Sequence, residues 1–112
     1  MDLYNELTQK IKELNISIKK LRETGTEYAE AERDYKITLR QEALKLRNDE
    51  KLPVTLINQI IYGIPLVAEK RFQRDVKEAI YKANLESIAS TKLQIRIIEN
   101  QLQREYSQNN GL

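Results

Sequence analysis

The sequence predicts an all-α protein built as a long, coiled-coil-like antiparallel helical hairpin, and three observations lead to this fold class. Charged residues make up 32% of the 112 residues, while only 3 Gly and 2 Pro interrupt the chain. Such a composition is typical of long helices with narrow apolar stripes. Apolar residues recur at steps of three and four before and after a short Pro-containing segment, which indicates two long helices joined by a turn.

The first helix is predicted over about residues 2–48. Its apolar positions follow a coiled-coil spacing over two and a half heptads, namely Tyr4, Leu7, Ile11, Leu14, Ile18 and Leu21. The same register continues through Gly25, Tyr28, Glu32, Tyr35, Leu39 and Leu46. Residues 24–26, Thr-Gly-Thr, are poor helix formers that together cost about 1 kcal/mol or more relative to alanine. We expect a mild kink there, and a break into two helices is the alternative.

A short helix is predicted over about residues 53–62, at the tip of the hairpin. Leu52 precedes a proline and is therefore pushed out of helical conformation, whereas Pro53 suits the first turn of a helix. This helix is the most apolar stretch of the chain and would serve as a protein-docking surface if part of it is exposed. Gly63 is expected to end it as a left-handed C-terminal cap.

The last helix is predicted over about residues 65–108, where no helix breaker occurs. Its inner face is expected to contain Phe72, Val76, Ile80, Ala83 or Asn84, Ile88, Thr91, Ile95, Ile98, Leu102 and Tyr106. Two long helices joined by a short segment pack antiparallel, so residues 1–112 are expected to form a single helical domain. Leu93 and Ile97 widen the inner face beyond what one partner helix covers. We therefore expect dimerisation into a four-helix bundle.

Several classes of catalytic site lack their characteristic residues in this sequence, which contains no His and no Cys. A nucleophilic serine would lack its usual base, and a di-iron bundle would lack its Glu-x-x-His pairs. The three glycines are too scattered for a P-loop or a dinucleotide fingerprint. We expect a protein that is not an enzyme and binds no cofactor.

Four carboxylates cluster on the first helix, at Glu27, Glu30, Glu32 and Asp34. Carboxylate clusters can bind Mg²⁺, as nucleases do. The alternative is a solvated helix face on which these carboxylates balance Arg33 and Lys36, and we favour this second interpretation.

Positive charge is concentrated in the middle of the chain, where residues 33–77 contain ten basic and six acidic side chains. The hairpin would bring many of these cations together at its tip. The predicted partner-binding residues are Arg40, Arg47, Lys51, Tyr62, Lys70, Arg71 and Arg74. A basic patch of this kind binds either a protein or the phosphates of nucleic acid. The alternative is an ordinary charged flank in which Glu69, Asp75 and Glu78 satisfy the cations.

The sequence also predicts where in the cell the protein is located. No apolar run approaches the ~18 residues of a membrane-spanning helix. The N-terminus lacks the basic and apolar regions of a secretory signal. We therefore expect no membrane partner and a cytoplasmic location.

Three segments carry a resemblance, namely GTEYAEAERDYK (residues 25–36), PVTLI (53–57) and YGIPLVA (62–68). They resemble small helical proteins encoded by phages and prophages of Gram-positive bacteria. The likeness runs along most of the chain, and no motif in it carries known chemistry. It implies expression in the cytoplasm of an infected bacterium. It also implies roles such as inhibiting host defence, sequestering a signalling nucleotide or assisting phage DNA replication.

Together these features predict a homodimeric interaction protein that binds and inhibits a host defence protein through its basic tip. One alternative is a nucleic-acid-binding accessory protein in phage replication or recombination. The other is an oligomeric sponge for a signalling nucleotide, with a pocket lined by Tyr and Arg.

Overall fold

The computed structural model describes residues 2–109, which form three α-helices and one short 3-10 segment. Helix α1 spans Leu3–Asn48, α2 spans Val54–Ile60 and α3 spans Pro65–Asn109. The 3-10 segment, Ile61–Gly63, lies between α2 and α3. Since no strand occurs within residues 2–109, the all-α fold class is confirmed.

The chain divides into two compact units, and each is described by itself. The central unit is Thr24–Tyr81 and contains the later part of α1, all of α2 and the beginning of α3. The terminal unit contains residues 2–23 and 82–109. Residues 24–26, where a kink or a break was expected, lie within α1.

In the terminal unit, α1 follows the predicted stripe at every second position, because Leu7, Leu14 and Leu21 are half-buried as expected. Tyr4, Ile11 and Ile18 were expected inside and are exposed. Leu3, Lys10 and Ser17 are half-buried in place of Tyr4, Ile11 and Ile18, and Glu6 and Glu13 beside them are half-buried as well. The apolar pattern alone could not identify this register because it places a lysine and a serine in the seam.

The α3 residues of the terminal unit follow the prediction more closely. Ile88, Thr91 and Ile98 are buried, and Asn84, Ile95 and Leu102 are half-buried. Tyr106 was expected inside and is exposed. Asn84 Nδ2 donates a hydrogen bond to the Ser17 carbonyl at 3.0 Å, which joins α3 to α1 within this unit.

The apolar core of the central unit lies where α1 ends and where α2 and α3 begin. Its buried members are Tyr35, Leu46, Ile57, Ile61 and Val67, and they form one cluster. Val67 is completely inaccessible to solvent. Leu39, Ala43, Leu52 and Ile64 pack against this cluster. Every element of the central unit therefore contributes to holding α2 in place.

The turn after α1 depends on a lysine in the left-handed conformation. Lys51 has a φ of 56°, and the Leu52 amide donates to the Leu46 carbonyl at 3.1 Å. The prediction that Gly63 is a left-handed cap is wrong, since no described glycine has a positive φ. Gly63 instead ends the 3-10 segment, where the Ile64 amide bonds to the Ile61 carbonyl at 3.2 Å. Pro65 then starts α3 without any left-handed residue.

In the central unit, α3 turns a polar face toward α1. Lys70, Arg74 and Lys77 are half-buried, whereas Phe72 and Val76 are exposed. Ile80 is exposed as well, so the prediction that these three apolar residues lie on the inner face is wrong. The physical reason is that the part of α1 that faces α3 carries carboxylates instead of apolar side chains. Its carboxylates pair with α3 cations, through Glu27–Lys77 at 3.1 Å and Glu32–Arg74 at 3.4 Å.

Candidate partner-binding site

The structure places all seven predicted partner-binding residues in the central unit. Three lie at the end of α1 and in the turn after it, and four lie in the 3-10 segment and the first turns of α3. They are Arg40, Arg47 and Lys51 in the first group, and Tyr62, Lys70, Arg71 and Arg74 in the second.

Arg74 has a structural role within the unit. Its Nε donates to Asp75 Oδ1 at 2.8 Å, and one terminal nitrogen donates to Glu32 Oε1 at 3.4 Å. Its guanidinium carbon lies 4.7 Å from the centre of the buried Tyr35 ring. The hydrogen bond to Asp75 raises the pKa of Arg74, against a smaller opposing effect of partial burial. Arg74 therefore positions α3 against α1 and does not contribute a free cation to the surface.

Arg71 and Tyr62 form an exposed pair. The Arg71 guanidinium carbon lies 5.3 Å from the centre of the Tyr62 ring, which joins the start of α3 to the 3-10 segment. Both residues are exposed, so the contact is a weak cation–π interaction. Stacking orients the guanidinium while leaving its N–H groups directed to the surroundings. Such an arrangement suits an arginine that binds a carboxylate or phosphate of a partner.

Arg47 and Lys51 lie at the turn between α1 and α2. Arg47 donates to the Leu52 carbonyl at 3.3 Å, and this contact is exposed. The left-handed backbone of Lys51 reverses the chain beside it. Arg40 lies two turns earlier on α1 and is also exposed.

Most of the predicted cations have no counter-ion within the part of the chain that the structure describes. Of the acids expected to satisfy them, Asp75 pairs with one predicted cation, Arg74, whereas Glu78 accepts from Tyr28 and Glu69 accepts from Gln73. Within residues 2–109 no carboxylate lies at ion-pair distance from five of the seven predicted residues, which are Arg40, Arg47, Lys51, Lys70 and Arg71. The charged-flank interpretation therefore holds for Arg74 and fails for these five cations. We call them, with Tyr62, the basic tip.

Exposed apolar side chains accompany the basic tip, on the short helix that was expected to serve as a docking surface if part of it is exposed, although none of them is among the seven predicted partner-binding residues. Val54, Leu56 and Ile60 are exposed on α2, and Leu66 is exposed at the start of α3. The sequence signal was the strong apolar character of residues 54–61. That signal does not show which members are buried. In the structure Ile57 and Ile61 face the core, and their neighbours remain accessible.

Tyr81, another tyrosine of the central unit, is placed differently from Tyr62. It is half-buried, and its ring centre lies 5.8 Å from that of Tyr28. A Cβ placed on Gly25 would lie 3.2 Å from Tyr81 Cε1, so the glycine makes room for this ring. Tyr81 therefore packs between α1 and α3.

The acidic cluster of α1 consists largely of ion-paired carboxylates. Asp34 pairs with Arg33 at 3.3 Å and Glu32 with Lys36 at 3.7 Å, as the charge-balance interpretation predicted. Glu27 and Glu32 also pair with cations of α3. Over residues 2–109 no three His, Cys, Asp or Glu side chains are grouped closely enough to hold a metal ion.

Comparison with protein-family models, curated proteins and solved structures gave no match. Function is therefore inferred from the central unit itself. None of the helices within residues 2–109 combines the length and apolar character needed to cross a membrane.

Proposed function

We propose that this chain is a non-enzymatic protein whose basic tip binds an acidic surface of another protein and blocks it. The observation that carries the proposal is the set of five cations without carboxylate partners within residues 2–109. Uncompensated arginines and lysines attract an anionic partner and fix its orientation. We take the partner to be a host defence protein, following the resemblance of residues 25–36, 53–57 and 62–68 to phage proteins. The encounter would then occur in the bacterial cytoplasm.

The architecture that we propose is an antiparallel hairpin of α1 and α3 with α2 at its tip, assembled as a homodimer. Contacts in the central unit support the hairpin, because Glu27 pairs with Lys77 while the later residue Glu32 pairs with the earlier Arg74. In this arrangement the basic tip lies at the closed end of the hairpin, where the ends of α1 and α2 and the start of α3 share one core.

Apolar residues beside the basic tip favour a protein over a nucleic acid. Val54, Leu56 and Ile60 expose aliphatic side chains on α2. Protein interfaces combine an apolar centre with arginine and tyrosine, whereas a phosphate backbone offers aliphatic groups little to contact. One face of Tyr62, the only aromatic residue of the basic tip, is covered by Arg71. A nucleotide sponge would have to enclose the exposed Tyr62–Arg71 pair in a pocket formed between subunits.

The experiment compares two charge-reversed variants with equal net charge. The tip variant carries Arg40→Glu, Arg47→Glu and Arg71→Glu, and the control carries Lys12→Glu, Lys19→Glu and Arg96→Glu on exposed positions of the terminal unit. Partners are captured from host lysate, identified by mass spectrometry and titrated as purified proteins. We expect the tip variant to bind at least about tenfold more weakly than the wild type, and the control to bind like the wild type.

Three results would overturn the proposal in different ways. If both variants bind the purified partner as the wild type does, the basic tip is not the binding site. Salt-sensitive micromolar binding of DNA that only the tip variant loses would favour the replication or recombination alternative. A melting temperature raised by one member of a cyclic-nucleotide panel would favour the sponge.

A further inference from the structure

The outer face of α3 in the central unit is apolar and uncovered. Phe72 is 63% exposed, Val76 39% and Ile80 44%. The opposite face of the same helix contains Lys70, Arg74 and Lys77, and it packs against α1 through ion pairs. A surface helix normally turns its apolar stripe to the core and its charges to water. Here the orientation is reversed, so the apolar stripe of α3 has no covering element among the described residues of the central unit.

We propose that this outer face packs against the same face of a second copy of the chain. The inference rests on the homodimer proposed above and assigns its interface. Phe72, Val76 and Ile80 are spaced four residues apart, and residues with this spacing form one ridge along a helix. Two such ridges interdigitate in the commonest class of helix packing, with the helices crossing at about 50°.

The row of Phe72, Val76 and Ile80 is self-complementary, which favours a second copy of the chain over an unrelated protein. Val76 lies midway between Phe72 and Ile80, so a two-fold axis through this point brings Val76 next to its own copy. The same axis brings Phe72 of each copy toward Ile80 of the other. Symmetric dimers are built from such self-matching patches. Within residues 2–109 no third long helix exists that covers this face, since α2 has only 7 residues.

The size of the exposed row sets the expected strength of the dimer. From their exposed fractions, the three side chains offer roughly 250 Å² per copy, given about 150–250 Å² for a whole aromatic residue. A standard interface buries about 800 Å² per partner. The row alone supplies about a third of that area, so it would form the apolar centre and the exposed residues around it, among them Gln73, Asp75 and Ala79, would have to supply the rest as a rim. We expect a monomer–dimer equilibrium with a Kd of tens of micromolar, corresponding to about −6 kcal/mol.

Sedimentation velocity on the full chain tests the interface. We expect a mass of 13.2 kDa at about 1 µM and an approach to twice that value at a few hundred micromolar. Val76→Glu places a charge at the centre of the row and is expected to weaken the dimer at least about tenfold. The matched control is Leu44→Glu, which alters an apolar residue of α1 that is 46% exposed in the same unit. Circular dichroism establishes that both variants retain the helical content of the wild type.

Cysteine cross-linking tests the symmetry, because the chain contains no Cys of its own. Val76→Cys is expected to form a disulfide-linked dimer under mild oxidation, and Leu44→Cys is not. A mixture of Phe72→Cys and Ile80→Cys is expected to cross-link more efficiently than either variant alone.

The possible failures are distinguishable. If the wild type dimerises and Val76→Glu dimerises equally well, the homodimer stands and the assigned interface is wrong. A wild type that remains at 13.2 kDa at a few hundred micromolar overturns both the interface and the homodimer. Partner binding by the basic tip is measured separately with the charge-reversed variants. Loss or retention of partner binding in the charge-reversed variants therefore does not depend on whether the chain dimerises.

Discussion

The Tyr28 hydroxyl donates a hydrogen bond of 2.6 Å to a carboxylate oxygen of Glu78, and this contact joins α1 to α3 in the central unit. The bond requires the protonated phenol. It is the main reason that the pKa of Tyr28 rises from 10.0 to about 12. Partial burial and the negative charges of Glu78 and Glu32 raise it further.

Because of this hydrogen bond, the stability of the protein is expected to vary with pH in the alkaline range. Because the folded-state pKa of Tyr28 is higher than the unfolded value of 10.0, its contribution is fully present below pH 10 and is lost as the pH rises to about 12. We expect the melting temperature of the wild type to fall more steeply between pH 10 and 12 than that of Tyr28→Phe. At neutral pH, Tyr28→Phe should melt a few degrees lower than the wild type.

Two measurements check this prediction. Thermal unfolding of both proteins is followed by circular dichroism across the alkaline range, and the tyrosinate absorbance is titrated in parallel. The variant is expected to lack the absorbance step near pH 12. If the melting temperatures of the two proteins coincide at every pH, the Tyr28–Glu78 bond contributes nothing to stability.

The left-handed residue of the turn gives a second prediction. Lys51 has a φ of 56°, a conformation that costs residues with a Cβ about 1–2 kcal/mol. Lys51→Gly removes this cost and adds flexibility to the unfolded chain, so we expect a net stabilisation of about 0.5–1 kcal/mol in urea unfolding. Lys51→Ala removes the same charge and retains the backbone cost. It serves as the control and should not stabilise the protein.

Whereas Lys51→Gly removes a Cβ, the third prediction adds one at Gly63. Its φ is not positive, and a Cβ added there would meet no atom within 4 Å. Gly63→Ala is therefore expected to stabilise the protein by about 0.4–1 kcal/mol through the unfolded state. A destabilisation of about 1 kcal/mol or more would instead indicate the left-handed cap that the sequence predicted.

Arg71 and Arg74 are close in sequence, but mutation of Arg74 is expected to lower stability, whereas mutation of Arg71 is expected to weaken partner binding. Arg74 is only 21% exposed, pairs with Glu32 and Asp75, and lies over the Tyr35 ring. Arg74→Ala should lower the free energy of unfolding by about 1–2 kcal/mol through lost packing and ion pairing. Arg71→Ala should change it by less than about 0.5 kcal/mol, since its contacts are exposed.

Affinity for the partner should be affected more by mutation of Arg71 than by mutation of Arg74. Arg71 belongs to the basic tip, so Arg71→Ala is expected to weaken binding of the purified partner while leaving the urea midpoint unchanged. Arg74→Met preserves the aliphatic packing and should bind the partner like the wild type. Equal losses of stability in Arg71→Ala and Arg74→Ala would contradict this division of roles.

The number, type and approximate bounds of the helices could be predicted because breakers and apolar periodicity report local structure directly. Helix rotation was harder to predict. In the terminal unit the seam of α1 includes Lys10 and Ser17, and in the central unit α3 faces α1 with Arg74 and Lys77. An apolar stripe indicates a buried face only when the partner helix is apolar as well. Here the carboxylates of α1 determined the rotation of α3.

The basic tip could be predicted from charge density, but its counter-ions could not. Glu69, Asp75 and Glu78 are close in sequence to the cations and were expected to satisfy them. Asp75 does pair with the predicted cation Arg74, whereas Glu69 accepts from Gln73 of its own helix and Glu78 accepts from Tyr28 of α1. Sequence spacing gives the distance along one helix, whereas the choice between competing partners depends on tertiary packing.

Asn84 occupies a seam position in the terminal unit, and it provides the last prediction. Its Nδ2 donates to the Ser17 carbonyl at 3.0 Å, among the apolar positions Ile88 and Ile95 that continue the seam. A polar residue in a coiled-coil seam fixes the register of the helices and lowers stability relative to an apolar residue. We expect Asn84→Leu to raise the free energy of unfolding by about 1–2 kcal/mol through added apolar burial.

The same substitution should make the helix register less specific. Hydrogen exchange of residues 3–21 is expected to become faster relative to the global stability in Asn84→Leu, because alternative pairings of α1 and α3 in this unit differ less in energy. Asn84→Ala removes the hydrogen bond without adding apolar area and should lower stability. If Asn84→Leu destabilises the protein as much as Asn84→Ala does, the bond to Ser17 is itself a net stabilising interaction. The terminal unit would then derive stability, and not only register, from the hydrogen bond between the Asn84 side chain of α3 and the Ser17 carbonyl of α1.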